Sequence, residues 1–145
     1  MYTTSEEQIV PTNEEAIKVF ERHFGFALPF SYRSFLLKHN GGSPDKNVFA
    51  YDDDYGDNNS TVRKFLSLGG GSDSLEHYLE VYSGRIPPNA LPIAYDDGGN
   101  LICLLFDGKS QPVAFWDHEM EGENAEDAVF YLIAPNFEEF CQSLF

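Results

Sequence analysis

The sequence predicts an α+β fold: a single domain with helices packed against a mixed, mostly antiparallel sheet. Three observations carry this. The chain has 145 residues, the length of one ordinary domain. Apolar residues recur with helical spacing toward both ends, while the middle reads as short apolar runs separated by turn residues. The links at 97–100 and 107–111 are too short for a crossover, so the strands they join are antiparallel neighbours.

The helices come first. Thr12, with Glu15 three residues on, forms a capping box behind Pro11; Ile17, Phe20 and Phe24 then share a face, and Gly25 ends the helix. Leu28-Pro29 opens a second helix, since proline suits a first turn; Tyr32, Phe35, Leu36 and His39 line one face before Gly41-Gly42 stops it. A third follows Gly69-Gly70-Gly71, a sharp strand-to-helix turn. Asp73 stands as its cap, Glu76 at the box position, and Leu75, Tyr78, Leu79 and Tyr82 form one stripe up to Gly84. The fourth starts near Asn136 with Glu139 at the box position, and Phe137, Phe140, Cys141 and Leu144 repeat the spacing. Residues 1–11 read as a loosely ordered extension of a domain that takes in the whole chain, 1–145.

Strands are expected at Asn47–Tyr51, Val62–Leu68, Leu91–Tyr95, Leu101–Phe106, Val113–Trp116 and Ala128–Ile133, with 91–116 forming a three-stranded meander. Asp52–Ser60 reads as a polar loop, because it has no apolar stripe. Asp96-Asp97-Gly98-Gly99-Asn100 supplies residues that tolerate the backbone of a tight turn, with Asp96 and Asp97 facing solvent.

Composition narrows the function. Thirteen Phe, eight Tyr and one Trp supply the volume of a core. Cys103 and Cys141 match no metal or redox spacing and read as buried thiols in a reducing compartment. There are 24 Asp and Glu against 9 Lys and Arg, a net charge of −15. Such a surface repels nucleic acid and anionic membranes and speeds association with a basic protein partner. The chain shows neither a basic start followed by an apolar stretch nor a run long enough to span a bilayer, so a cytoplasmic protein is expected.

Catalytic and metal motifs fare poorly. On a strand, Asp117, Glu119 and Glu121 would line one side, and they mimic positions one, three and five of a calcium loop with Gly122 at six. Position twelve is Ala128, where a bidentate Glu is required. The Asp52, Asp53, Asp54, Asp57 run fails likewise, because Gly56 at six puts Tyr51 at one. There is no G-x-S-x-G, and none of His23, His39, His77 and His118 stands in a motif with Cys or Ser. No Lys-Ser/Thr pair follows the glycines before the third helix. No catalytic residue, metal or cofactor is expected.

Three segments together resemble the SUKH superfamily (Smi/Knr type). They are "ALPFSYRSFLLKHNGGSPD" (Ala27–Asp45), "LPIAYDDGGNLICLLF" (Leu91–Phe106) and "QPVAFWDHE" (Gln111–Glu119), followed by the Phe137/Phe140 helix. The resemblance runs from about Asn13 to Leu144 and leaves out Asp52–Ser60. It implies a non-catalytic α+β domain and, for the bacterial branch, an immunity protein that neutralises a cognate polymorphic toxin, often a nuclease, by stoichiometric binding. A toxin that grips phosphates presents Lys and Arg, so the partner-binding face is placed at Tyr51, Asp52, Asp53, Asp54, Tyr55 and Asp57, with Glu119, Glu121 and Glu123 next. The alternatives are a regulatory or scaffold protein-binding module and, further off, a metal-dependent hydrolase using the Asp117–Glu123 carboxylates.

Overall fold

The computed structural model describes the backbone of residues 3–4 and all of residues 10–145. Most of the 1–11 extension therefore lies outside the described residues. β1 (Thr3–Thr4) pairs antiparallel with β2 (Ser43–Pro44). Between them lie α1 (Glu14–Phe24) and α2 (Phe30–Lys38). The cap of α1 is Asn13, not Thr12: its backbone is extended and its side chain accepts from the Ala16 N–H at 2.9 Å. Asn is the stronger cap of the two, so the start moves by one residue. Gly25 ends α1 in the left-handed conformation. Asn40 and Gly41 close α2 with φ of +43° and +109°. A Cβ on Gly41 would stand 3.2 Å from the Phe65 carbonyl oxygen, so the close approach needs glycine.

The largest departure follows. Asp52–Ser60 is not a loop: β3 (Val48–Asp53) and β4 (Gly56–Thr61) form an antiparallel hairpin turning at Asp54-Tyr55. The Asp53 side chain accepts from the Tyr55 N–H at 2.7 Å, and Gly56 takes φ +122° to leave the turn. The expected strand Val62–Leu68 contracts to β5 (Lys64–Phe65). After the Leu66 N–H bonds to Ile93, the chain turns away, and Leu68 is held by Asn40 instead. α3 (Leu75–Val81) is capped by Ser74, not Asp73: the buried Ser74 hydroxyl accepts from the His77 N–H at 3.1 Å. Asp73 pairs with the Lys64 ammonium at 3.1 Å.

β6 (Ala90–Tyr95), β7 (Leu101–Leu105) and β8 (Val113–Trp116) form the expected meander, and β9 (Phe130–Ala134) extends it. The five-stranded sheet runs β5-β6-β7-β8-β9, every neighbour antiparallel. α4 (Phe137–Ser143) is capped by Asn136, whose side chain accepts from the Glu139 N–H at 2.8 Å.

Alternation along the strands sorts side chains onto two faces. On one, Ile93, Ile102, Leu104 and Phe115 meet Ile17 and Phe20 of α1, Tyr32 and Phe35 of α2, Phe137 and Phe140 of α4, and Phe49 of the hairpin. On the other, Leu101, Cys103 and Trp116 make a smaller core with Ile86 and Ala90. Cys103 is buried as expected, whereas Cys141, on α4, is half-buried; burial pushes the Cys103 thiol far up and that of Cys141 up to about 12.

Candidate functional site

The hairpin presents its residues in two sets. Phe49 is fully buried, and the Tyr51 ring lies 4.5 Å from Phe115 and 6.1 Å from Tyr131 of β9. Asp53 shares this inward row. Asp52 and Asp57 point outward, directly opposite each other across the ladder, and Asp54 and Tyr55 form the tip. Tyr55 is 92% exposed. The Asp52 carboxyl titrates above its ordinary range, chiefly through its hydrogen-bonded contact and repulsion with Asp57.

A buried carboxylate pins this hairpin to the sheet. Asp96, expected to face solvent, is 5% exposed. It accepts from the Gly98 N–H (2.9 Å), the Asn100 N–H (2.8 Å), Asn100 Nδ2 (2.9 Å) and the Ser60 hydroxyl of β4 (2.9 Å). Its neighbour Asp97 stays outside and accepts from the Thr61 hydroxyl at 3.0 Å. A carboxylate leaves water readily when local N–H and O–H donors replace it, which is why Asp96 turns inward. Asn100 passes the network on: its side-chain oxygen accepts from the His118 N–H at 3.0 Å and lies 2.6 Å from His118 Nδ1. With Asn100 Nδ2 committed to Asp96, its oxygen is the acceptor, so Nδ1 carries the proton. The turn and the His-Glu segment, far apart in sequence, thus lock β4 and β8 together.

Beside the tip, Tyr131 and Tyr51 sit among carboxylates. Burial raises both phenols first. Asp54, Asp53 and Asp117 add to the shift at Tyr131, and Asp53, Asp117 and Asp96 at Tyr51. Two partly buried phenols in the field of Asp53, Asp54 and Asp117, with Tyr55 exposed at the tip, form a patch suited to a guanidinium or ammonium group. The expectations for this face did not include Tyr131 or place Asp117 within it, because β9 shows no alternation that aims its tyrosine.

The second expected group divides. Trp116 is followed by a 3₁₀ turn (His118–Met120) in which the Asp117 side chain accepts from the Glu119 N–H at 2.9 Å. Asp117, Glu119 and Glu121 therefore do not line one side of a strand, and no group of three or more potential metal ligands occurs among the described residues. Glu119 and Glu123 are exposed. Glu121 grips Arg85 at 2.8 and 2.9 Å, and the guanidinium lies 4.6 Å from the Tyr82 ring centre and 5.8 Å from that of Trp116. This pair straps the reverse face. Arg85 draws the Glu121 carboxyl below its ordinary range. A depressed carboxyl stabilises the fold above its unfolded pKa and loses that contribution as pH falls through the folded value. Arg85→Ala is expected to open the strap. Emission from Trp116, the single tryptophan, shifts to the red and becomes accessible to acrylamide, while the helical signal is unchanged.

Residues 11–143 match the model of the SMI1 / KNR4 family (SUKH-1). The chain is also 35% identical over 150 aligned positions to the SPbeta prophage-derived uncharacterized protein YokK of Bacillus subtilis (strain 168), covering 93% of this chain and 75% of that protein. No solved structure matches. The blocks that carried the resemblance are the ones that stitch the structure: Asn40 holds Leu68, Asp96 and Asn100 hold the β6–β7 turn, and His118 closes the network. By a family match over almost its whole length, the chain belongs to the SMI1/KNR4 family (SUKH-1).

Proposed function

We propose that the protein is a non-catalytic immunity protein that neutralises a basic toxin domain by stoichiometric binding, with the β3–β4 hairpin as its contact face. One observation supports this above the rest: an acidic, exposed hairpin is clamped rigidly to the domain by Asp96. A preorganised surface loses little entropy when it docks. The partner's Arg or Lys enters beside Tyr131 and Tyr55, between Asp53, Asp54 and Asp117, and the net charge of −15 steers it there. No proton transfer or nucleophile is required, and the cytoplasm is where such a toxin would be met. The regulatory-module alternative shares this surface and differs only in its partner.

The test is co-expression with the product of the adjacent gene. The expected result is growth where that product alone arrests it, and co-purification of the two chains. Growth arrest that persists despite equal expression overturns the immunity reading and leaves the regulatory module.

A further inference from the structure

β4 pairs with β3 alone among the described strands, which leaves its other edge open. The ladder fixes which backbone groups lie on that edge. The Val48 N–H and C=O both bond to Phe145, at 3.0 Å each, so Val48 turns its backbone away from β4. The Val62 N–H instead donates to the Asn47 carbonyl at 2.7 Å, inside the hairpin. Antiparallel pairs alternate in this way, so Thr61, Asn59 and Asp57, opposite Val48, Ala50 and Asp52, turn their N–H and C=O groups outward. β6 borders the same edge farther along: the Arg63 N–H donates to the Tyr95 carbonyl at 2.9 Å. After Tyr95 the chain reverses at 96–100, and the Asp97 side chain holds the Thr61 hydroxyl. Beyond that point no backbone bond among the described residues takes up the outward groups of Asn59 or Asp57, and both residues are exposed. Edges are usually blunted by lysine, proline or a bulge. β4 has six residues, none of them lysine or proline, in unbroken register with β3. From 47 to 62 the charged side chains are Asp52, Asp53, Asp54 and Asp57. Lys46 and Arg63 stand at the end of the hairpin away from Asp57, and Arg63 faces Asp97 at 3.8 Å.

We propose that the protein partner adds a strand to this edge: an extended basic segment pairs antiparallel with Asn59 and Asp57, in line with β6, and sets a lysine or arginine beside Asp57. A row of outward N–H and C=O groups is a template for another strand, and the carboxylates set the sign of its charge. A second copy of this chain would bring the carboxylates of two hairpins together, each chain carrying a net charge of −15, so the occupant is a basic segment of another protein. The inference rests on the hairpin as the contact face and adds the manner of binding.

The test is amide hydrogen exchange of the ¹⁵N-labelled full chain with the end-capped peptide KTKVKT. Residues opposite each other in an antiparallel pair share a face, so a lysine beside Asp57 has its own N–H on the paired edge. The peptide is expected to slow exchange at Asp57 and Asn59 and to leave Asn58, whose N–H already faces β3, unchanged. N-methylation of the lysine amides removes the paired donors and is expected to weaken binding at least about tenfold. N-methylation of the threonines and valine puts the methyls on the far edge and is expected to change little. Asn59→Pro removes an outward N–H and no ladder bond to β3, and is expected to abolish the protection at Asp57. The methylated pair acts on the wild-type chain, so the result does not depend on that variant folding. No slowing at Asp57 and Asn59, or equal binding of the two methylated peptides, overturns the inference, and charge alone then draws the peptide to the hairpin. Slowed exchange together with growth arrest in the co-expression test supports the strand addition and overturns the immunity reading.

Discussion

Asp96→Ala is expected to destabilise the protein by about 3 kcal/mol, the cost of leaving several buried donors without an acceptor. That corresponds to a fall in melting temperature of about 10 °C for a domain of this size. The substitution strands the Gly98 and Asn100 N–H groups, Asn100 Nδ2 and the Ser60 hydroxyl together. The first three hold the β6–β7 turn, and the fourth holds β4. Asp96→Asn keeps one acceptor oxygen but sets an amide against Asn100 Nδ2, so a smaller loss of about 1–2 kcal/mol is expected. Calorimetry gives the stability, and hydrogen exchange at β4 reports whether the hairpin has come loose. Faster exchange there, with partner affinity falling although no contact residue has changed, is the expected pairing. A melting temperature within a degree of wild type would mean that Asp96 does not hold the hairpin.

Reversing Asp52, Asp53, Asp54 and Asp57 to Lys is expected to weaken partner binding at least about 100-fold at low salt, mostly through slower association. Each reversal removes two negative units, so the net charge goes from −15 to −7. The affinity of wild type should fall steeply with salt, and that of the variant should not. The fold is expected to survive, because Asp52, Asp54 and Asp57 are exposed, Asp53 is only half-buried, and the hairpin is held from Phe49, Tyr51 and Ser60. Asp52 and Asp57 add a pH signature. Their hydrogen-bonded contact, and after it their repulsion, raise the Asp52 carboxyl, so the cost of ionising both is present at neutral pH and relieved as pH falls through that raised value. Acidification through that value therefore firms the hairpin while removing the charge that attracts a cation, and binding weakens as the hairpin stiffens. Unchanged affinity at low and high salt would remove this face from the interface.

Sequence reasoning reached the meander and the helices because their evidence is local. Leu101–Leu105 is a strand between two short turns, and Asn136 has Glu139 where a capped helix needs it. It missed β4 because Asp57, Asn58, Asn59 and Ser60 have poor strand propensity, and their conformation comes from a ladder to β3 and a bond to a residue 36 positions away. Asp-Tyr-Gly at 54–56 was the available signal for a turn. The candidate face was legible as charge and only half legible as geometry. Glu121 reads like its acidic neighbours, and nothing local shows that Arg85 claims it. Asp96 and Asp97 are adjacent and alike in chemistry, yet one is buried and the other exposed. A turn pattern predicts the reversal of the chain, not which carboxylate gathers the donors.

In the function proposed above, the protein acts by occupancy and turns nothing over. The direct measurement is residual activity of the purified cognate toxin against the molar ratio of this protein. A linear fall to zero at one equivalent is predicted, with full toxin activity recovered once the two are separated under denaturing conditions and the toxin refolded. Inactivation by a small fraction of an equivalent, or a toxin that stays inactive after separation, would contradict it.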